Sequence, residues 1–131
     1  MEQVSFIIIN VLDVDSYKDC HIPSSISIPF SELKGYAQSR LNRDTRIIVY
    51  CAHYQCSKSR EAAGLLSRLG FEHVEAYEGG MAEWYQMGFA SAGVCAADYL
   101  KTHHEHPPKI SNEYNIATIT ALELKKLLDE Q

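Results

Sequence analysis

Arg46-Ile47-Ile48-Val49-Tyr50-Cys51-Ala52-His53-Tyr54-Gln55-Cys56-Ser57-Lys58-Ser59-Arg60 is the stretch that decides the fold. Its first part is a continuous aliphatic run, the pattern of a strand buried on both faces in a parallel sheet. A polar loop, His53 to Ser59, follows. From near Arg60 a helical pattern then places Ala62, Ala63, Leu65, Leu66 and Leu69 on one side and stops at Gly70. Cys51 stands at the junction. In a parallel α/β sheet, ligands bind beyond the carboxyl ends of the strands, where the next helix presents its unpaired N–H groups. A helix N-terminus is worth roughly 0.3–2 kcal/mol to a nearby anion, and one pKa unit is about 1.36 kcal/mol, so the dipole alone brings a thiol near ~8.5 to about 7 at best. A larger shift needs loop N–H groups or a cation, for which Lys58 and Arg60 are the candidates. The competing reading is a small buried core cysteine.

Outward from this unit the pattern alternates. Ser5 to Val11, His73 to Tyr77 and the short Ser25 to Ile28 read as further strands; Phe30 to Leu41 and Met81 to Met87 read as helices, the latter after a Gly79-Gly80 turn. The expectation is an α/β domain of three layers, a central parallel sheet of about five strands flanked by helices, over residues 1–100. Residues 101–116, with His103, His104, His106, Pro107 and Pro108, read as a connector. Residues 117–131 regain pattern: Thr118-Ile119-Thr120 as an edge strand, then the amphipathic Ala121 to Leu128, opened by Thr120 and Glu123 as a capping box.

With 131 residues and 46% hydrophobic content, one domain with a proper core is expected. A net charge of −5, with no basic cluster larger than the pairs Arg40/Arg43 and Lys125/Lys126, argues against a nucleic-acid partner. No apolar run approaches the roughly 18 residues of a membrane span, and Phe6 to Ile9 lacks the flanks of a signal peptide. A cytoplasmic location is therefore expected, with Cys20, Cys51, Cys56 and Cys95 as thiols and Cys20 and Cys95 structural. Zinc on Cys51, Cys56 and a pair from His103, His104 or His106 is the metal reading; the loop's run into a helix argues against it, so neither metal nor cofactor is expected.

Across Phe6 to Phe89 the motifs resemble the rhodanese-like sulfurtransferase domains. They are Leu12-Asp13-Val14 with Tyr17, His21-Ile22-Pro23, Ile26-Ser27-Ile28-Pro29, Val49-Tyr50-Cys51, Ser59-x-x-Ala62-Ala63-x-x-Leu66, Gly70-Phe71 and Gly79-Gly80-x-x-x-Trp84-x-x-x-Gly88. The resemblance implies a catalytic Cys51 that takes a sulfane sulfur as a persulfide and passes it to a thiol or to cyanide. The anion-binding loop would be Ala52, His53, Tyr54, Gln55, Cys56, Ser57, Lys58 and Ser59. Donors of that class are thiosulfate, 3-mercaptopyruvate and polysulfide.

The departures are specific. The loop is two residues longer than usual, lacks Gly and Arg, and resembles a subgroup with a second cysteine, here Cys56. Asp15 replaces an arginine, and Cys20 and Ser24 replace glycines that flank His-Ile-Pro, where side chains would crowd the backbone. The opening pattern of such domains instead occurs at the far end, Ile119 to Leu128, as a permuted edge element, the start of a second repeat, or an element swapped between chains.

Within the loop, backbone N–H groups stabilise the anion, with Lys58, Ser57 and Ser59 as added donors; Ser59 reads equally as a helix cap. His53 and Tyr54 form the rim, and Trp84 anchors the core. Cys56 is either a resolving thiol that attacks the Cys51 persulfide or a small packed residue. Two other classes compete. A cysteine phosphatase needs an arginine six positions after the cysteine, where this chain has Ser57. A catalytically weak binding module with a protein partner tolerates an atypical loop.

Overall fold

Strands Phe6–Asn10 (β1), Ile26–Ser27 (β2), Arg46–Tyr50 (β3), Val74–Tyr77 (β4) and Ala117–Thr118 (β5) form one parallel sheet in the order β2-β1-β3-β4-β5. Helices Val14–Asp19 (α1), Phe30–Arg40 (α2), Lys58–Arg68 (α3), Gly80–Gln86 (α4) and Ala121–Asp129 (α5) flank it, with a 3₁₀ turn at Asp98–Lys101. This computed structural model describes residues 6–105 and 116–131; His106, Pro107 and Pro108 lie outside the described residues.

Alternation along the strands makes the two cores. Ile9, Ile47, Val49 and Cys51 point to the side covered by Leu33 and Ala37 of α2 and Ala62, Ala63 and Leu66 of α3. Ile8, Ile48 and Tyr50 point to the other, where Met81 and Trp84 of α4, Leu100, and Ala121 and Leu124 of α5 cover them. Both faces of β1 and β3 are thus dry, which is why their sequences are unbroken aliphatic runs. Trp84 is 1% exposed and donates its indole N–H to Ala90 O at 2.9 Å, anchoring α4 and the chain after it.

The His-Ile-Pro segment is fastened to the sheet by phenols. Tyr50, fully buried, accepts from Ile22 N at 3.0 Å and pairs with Ser25 Oγ at 2.8 Å. Tyr17 stacks on His21 at 3.9 Å and donates to Ser25 O at 2.5 Å. Ser24 takes a left-handed φ of 79°, the conformation a glycine would hold at lower cost, whereas Cys20 has an extended backbone that any residue adopts.

The C-terminal segment completes the same sheet. Glu75 and Ala76 of β4 pair with Ala117 and Thr118, and Ile119 N donates to Ala76 O at 3.1 Å. The capping box is formed in both directions: Glu123 N to Thr120 Oγ1 at 3.1 Å, Thr120 N to Glu123 Oε1 at 2.9 Å.

One expectation is overturned. Cys20 and Cys95 are not thiols but a disulfide across a sequence separation of 75, with Cα atoms 4.6 Å apart. Gly93, at φ +111°, allows the approach, since a Cβ there would lie 2.2 Å from Asp19 O. The pairing removes the ground for inferring a reducing compartment from cysteine spacing. No helix among the described residues is long and apolar enough to cross a membrane.

Candidate active site

Cys51 follows the last residue of β3 and Lys58 opens α3, two residues earlier than the apolar periodicity suggests. The loop between is pinned from below. Met81 N donates to Cys51 O and Ala82 N to Ala52 O, each at 2.9 Å. That contact requires the Gly79-Gly80 turn. Gly80 has φ +67°, and a Cβ on it would stand 2.6 Å from Cys51 O and 2.8 Å from the Ala52 carbonyl carbon. A Cβ on Gly79 would meet Glu83 Oε1 at 2.1 Å. Glu83 itself accepts from Tyr54 Oη and Tyr77 Oη, both at 2.8 Å, and so holds the loop rim to α4.

Two free thiols share this loop. Cys51 is fully buried, whereas Cys56 is half-buried, so the pair is approached from the Cys56 side. The Cys51 thiol donates to Cys56 O at 3.5 Å, and its interaction with the Cys56 thiol is the largest influence on the titration of both. Proton sharing sets their titration. The Cys51 S–H, the N–H groups of Lys58 and Ala52, and the Lys58 charge bring Cys56 down to about 6, against its own partial burial. Cys51 is pushed up, first by that interaction and then by burial; the Ser59 N–H pulls the other way. Helix position alone suggested a Cys51 thiol near neutrality. The structure instead puts the first negative charge of the pair on Cys56 and the proton on Cys51.

The other loop residues divide. Ser59 is buried in the first turn of α3, caps nothing, and its hydroxyl has no partner at hydrogen-bond distance among the described residues. Ser57 holds the N-cap position, but its hydroxyl donates to Glu61 at 2.5 Å and so turns away from the thiols. Lys58 Nζ sits 4.7 Å from the centre of the Phe30 ring. Arg60 pairs with Glu78 at 3.4 Å and is not the loop's cation. His53 Nδ1 accepts from Gln55 N at 3.2 Å, and Cys56 N donates to His53 O at 3.0 Å, closing the turn.

Residues that motif reading passed over build the wall. His104 stacks on His53 at 4.0 Å with planes 2° apart, and burial followed by the His104 charge lowers the His53 pKa. Gln86 Nε2 donates to Leu100 O at 3.0 Å and Thr102 O at 2.7 Å, fixing this segment to α4. Beside the loop a cleft of about 200 Å³ opens between Tyr54, Glu83, Gln86, His103 and His104. These residues lie far apart in sequence; Tyr54 carried a signal as a loop-rim residue and His103 and His104 as metal-ligand candidates, whereas Glu83 and Gln86 carried none. Among the described residues no three His, Cys, Asp or Glu side chains converge as a metal site, and His106 lies outside them.

A strand–cysteine–loop–helix site on a β2-β1-β3-β4-β5 parallel sheet defines a class. A model of the rhodanese-like domain matches residues 1–87, and the chain belongs to that family. It is 31% identical over 78 residues to a thiosulfate sulfurtransferase GlpE of Coxiella burnetii, covering 60% of this chain and 70% of that protein. To the putative sulfur carrier protein YrkF of Bacillus subtilis it is 30% identical over 77 residues, covering 59% of this chain but 40% of that one. Among solved structures, the BH2092 protein of Bacillus halodurans superposes with a TM-score of 0.66 at 33% identity, covering 72% of this chain and 70% of the other.

Proposed function

We propose that the protein is a sulfurtransferase that carries a sulfane sulfur on Cys51. The observation that carries this reading is the buried Ser59 hydroxyl at the start of α3, which has no hydrogen-bond partner among the described residues, next to a Ser59 N–H that lowers the pKa of Cys51. A buried donor without an acceptor costs about 1–3 kcal/mol, a cost removed when an anionic sulfur occupies the position. The sulfurtransferase and sulfur-carrier names of the relatives support the same chemistry.

The pair divides the labour. The two thiols share one proton, and in the form with that proton on Cys56 the Cys51 thiolate attacks the outer sulfur of a donor such as thiosulfate. The S–S bond of the donor breaks, sulfite leaves with the electron pair, and Cys51 holds a persulfide. A thiol acceptor or cyanide attacks the outer sulfur and returns the Cys51 thiolate. Backbone N–H groups along Ala52 to Ser59 supply charge stabilisation without an arginine. Polysulfide and 3-mercaptopyruvate are alternative donors of the same sulfur.

A second reading has its own support in the interaction between the thiols and the low pKa of Cys56. Cys56 thiolate attacks Cys51 Sγ of the persulfide, expels hydrosulfide and leaves a Cys51–Cys56 disulfide, which an external dithiol must reduce. The test is donor consumption with cyanide as acceptor, reading thiocyanate. The sulfurtransferase reading predicts thiocyanate from the wild type and none from Cys51→Ala. Sulfide release in place of thiocyanate, abolished in Cys56→Ala, favours the second reading; no product from any of the three donors rejects both.

A further inference from the structure

The segment after residue 87 lies beyond the part of the chain that the family model matches, yet it is fastened to the domain at several points. His21 and Ala92 exchange two backbone hydrogen bonds of 2.9 Å, and Cys95 is bonded to Cys20. Ala96 N and Ala97 N donate to the two Asp19 carboxylate oxygens at 3.0 and 3.2 Å, and Leu100 is fully buried. Held in this way, the chain carries His104 to the thiol loop, where its ring lies flat on His53 at 4.0 Å with planes 2° apart. His53 in turn organises the loop around Cys56, since Gln55 N donates to its ring at 3.2 Å and Cys56 N to its carbonyl at 3.0 Å.

The partners of the two rings fix where each carries its proton. Gln55 N can only donate, so His53 Nδ1 is the lone pair and neutral His53 has its proton on Nε2. Tyr99 O can only accept, so His104 Nε2, 2.8 Å away, carries a proton. The rings therefore respond differently to acid. His104 takes its second proton on Nδ1 and keeps its bond to Tyr99 O. His53 takes its second proton on the nitrogen that accepts from Gln55 N, so that bond is lost and a positive charge is set against the His104 ring. Burial and then the His104 charge hold the His53 pKa below its ordinary 6.5, in agreement with this geometry. The other titratable groups facing the pair are Tyr99, with its ring 6.2 Å from His53, Tyr54 and Cys56 of the loop, and Glu83 of α4 across the cleft. Tyr99 and Tyr54 are held protonated by burial, and Glu83 accepts from the Tyr54 and Tyr77 hydroxyls. Lys101, His103 and Glu105, on the same segment as His104, are exposed.

We propose that His104 is a positioning residue for the thiol loop: stacked on a neutral His53 it fixes the turn that leads to Cys56, and protonation of His53 releases that turn. The role given to the loop rests on the sulfurtransferase reading. Because the His53 pKa lies below the unfolded value, the contribution of the stack is complete above about 6.5 and is lost as the pH falls through the folded pKa. The segment after the family domain thus sets how the site responds to acid.

Cys56→Ala removes the thiol that titrates in the same range and serves as the background. On it, His53→Asn supplies Gln55 N with a side-chain oxygen that does not titrate, and His104→Gln keeps a donor for Tyr99 O while removing the ring and its charge. Amide exchange at residues 55 and 56, expressed as protection, and the His53 ring resonances in NMR are followed from about pH 7.5 to about pH 5. Protection is expected to fall about tenfold as His53 titrates in Cys56→Ala, to stay level when His53→Asn is added, and to be low throughout when His104→Gln is added, with the His53 titration moved up. Protection that is level with pH in Cys56→Ala, that falls equally with His53→Asn, or that is unmoved by His104→Gln overturns the inference. Protection lost in His104→Gln with the His53 titration unmoved assigns His104 a structural role only and also overturns it. Thiocyanate formation by the wild type is read alongside: its absence rejects the sulfurtransferase reading, whereas the amide result alone decides whether His104 positions the loop.

Discussion

Gly80→Ala is the sharpest structural perturbation of the site. Two costs combine. The left-handed φ of +67° costs a non-glycine residue about 1–2 kcal/mol. The added Cβ meets Cys51 O at 2.6 Å and Ala52 O at 2.9 Å, main-chain atoms that cannot rotate away. Relieving that overlap separates α4 from the loop and stretches the hydrogen bonds from Met81 N and Ala82 N, each worth about 0.5–1.5 kcal/mol. The sum is about 2–5 kcal/mol. Gly88→Ala is the matched control: φ is +81°, but nothing lies within 4 Å of its Cβ, so only the backbone cost applies. At about 4 °C per kcal/mol, G80A should melt about 8–20 °C below wild type and G88A about 4–8 °C below it. Sulfur transfer separates them further. A displacement of the loop near 1 Å costs about a hundredfold in G80A, whereas G88A retains wild-type turnover at a temperature where it is folded. Thermal melts and thiocyanate formation at 20 °C below each variant's midpoint, about where folding is complete, give both numbers. Equal melting points and equal turnover in the two variants would refute the claim that Gly80 is required by close approach to the Cys51 backbone.

Two further outcomes follow from the cysteines. A bridge across a sequence separation of 75 stabilises by about 4–5 kcal/mol in the chain-entropy account, so reduction of Cys20–Cys95, or Cys95→Ala, should lower the melting temperature by about 16–20 °C; a midpoint insensitive to reductant contradicts this. Cys56 has a pKa lowered to about 6, so its thiolate is present above that pH and lost below it, and alkylation of Cys56 should rise through pH 6 and level off. In Cys51→Ala the largest cause of the lowering is gone, and the midpoint should climb toward the ordinary thiol value; an unmoved midpoint places the cause in the loop N–H groups instead.

The sheet was legible because its central strands are buried on both sides, which leaves a sequence signature that needs no partner to interpret. Cys51 was legible for a related reason, as a polar reactive atom ending such a strand. The C-terminal strand and helix announced themselves through Thr120 and Glu123, but their place beside β4 depends on pairing, which spacing does not encode. What sequence reading missed is non-local. The Cys20–Cys95 bridge needs Gly93 to come against Asp19, and the His53–His104 stack and Tyr99 reach the loop only after the chain has circled the sheet. The ionisation order of the thiols was missed because it depends first on their contact with each other across the loop and then on the deeper burial of Cys51.

Intact-mass measurement of the protein after exposure to thiosulfate, 3-mercaptopyruvate or polysulfide tests the central claim most directly. A persulfide on Cys51 gives a gain of one sulfur atom, present in wild type and in Cys56→Ala and absent in Cys51→Ala. Sulfur retained on Cys56 in the Cys51→Ala variant, or no gain from any donor, would contradict it.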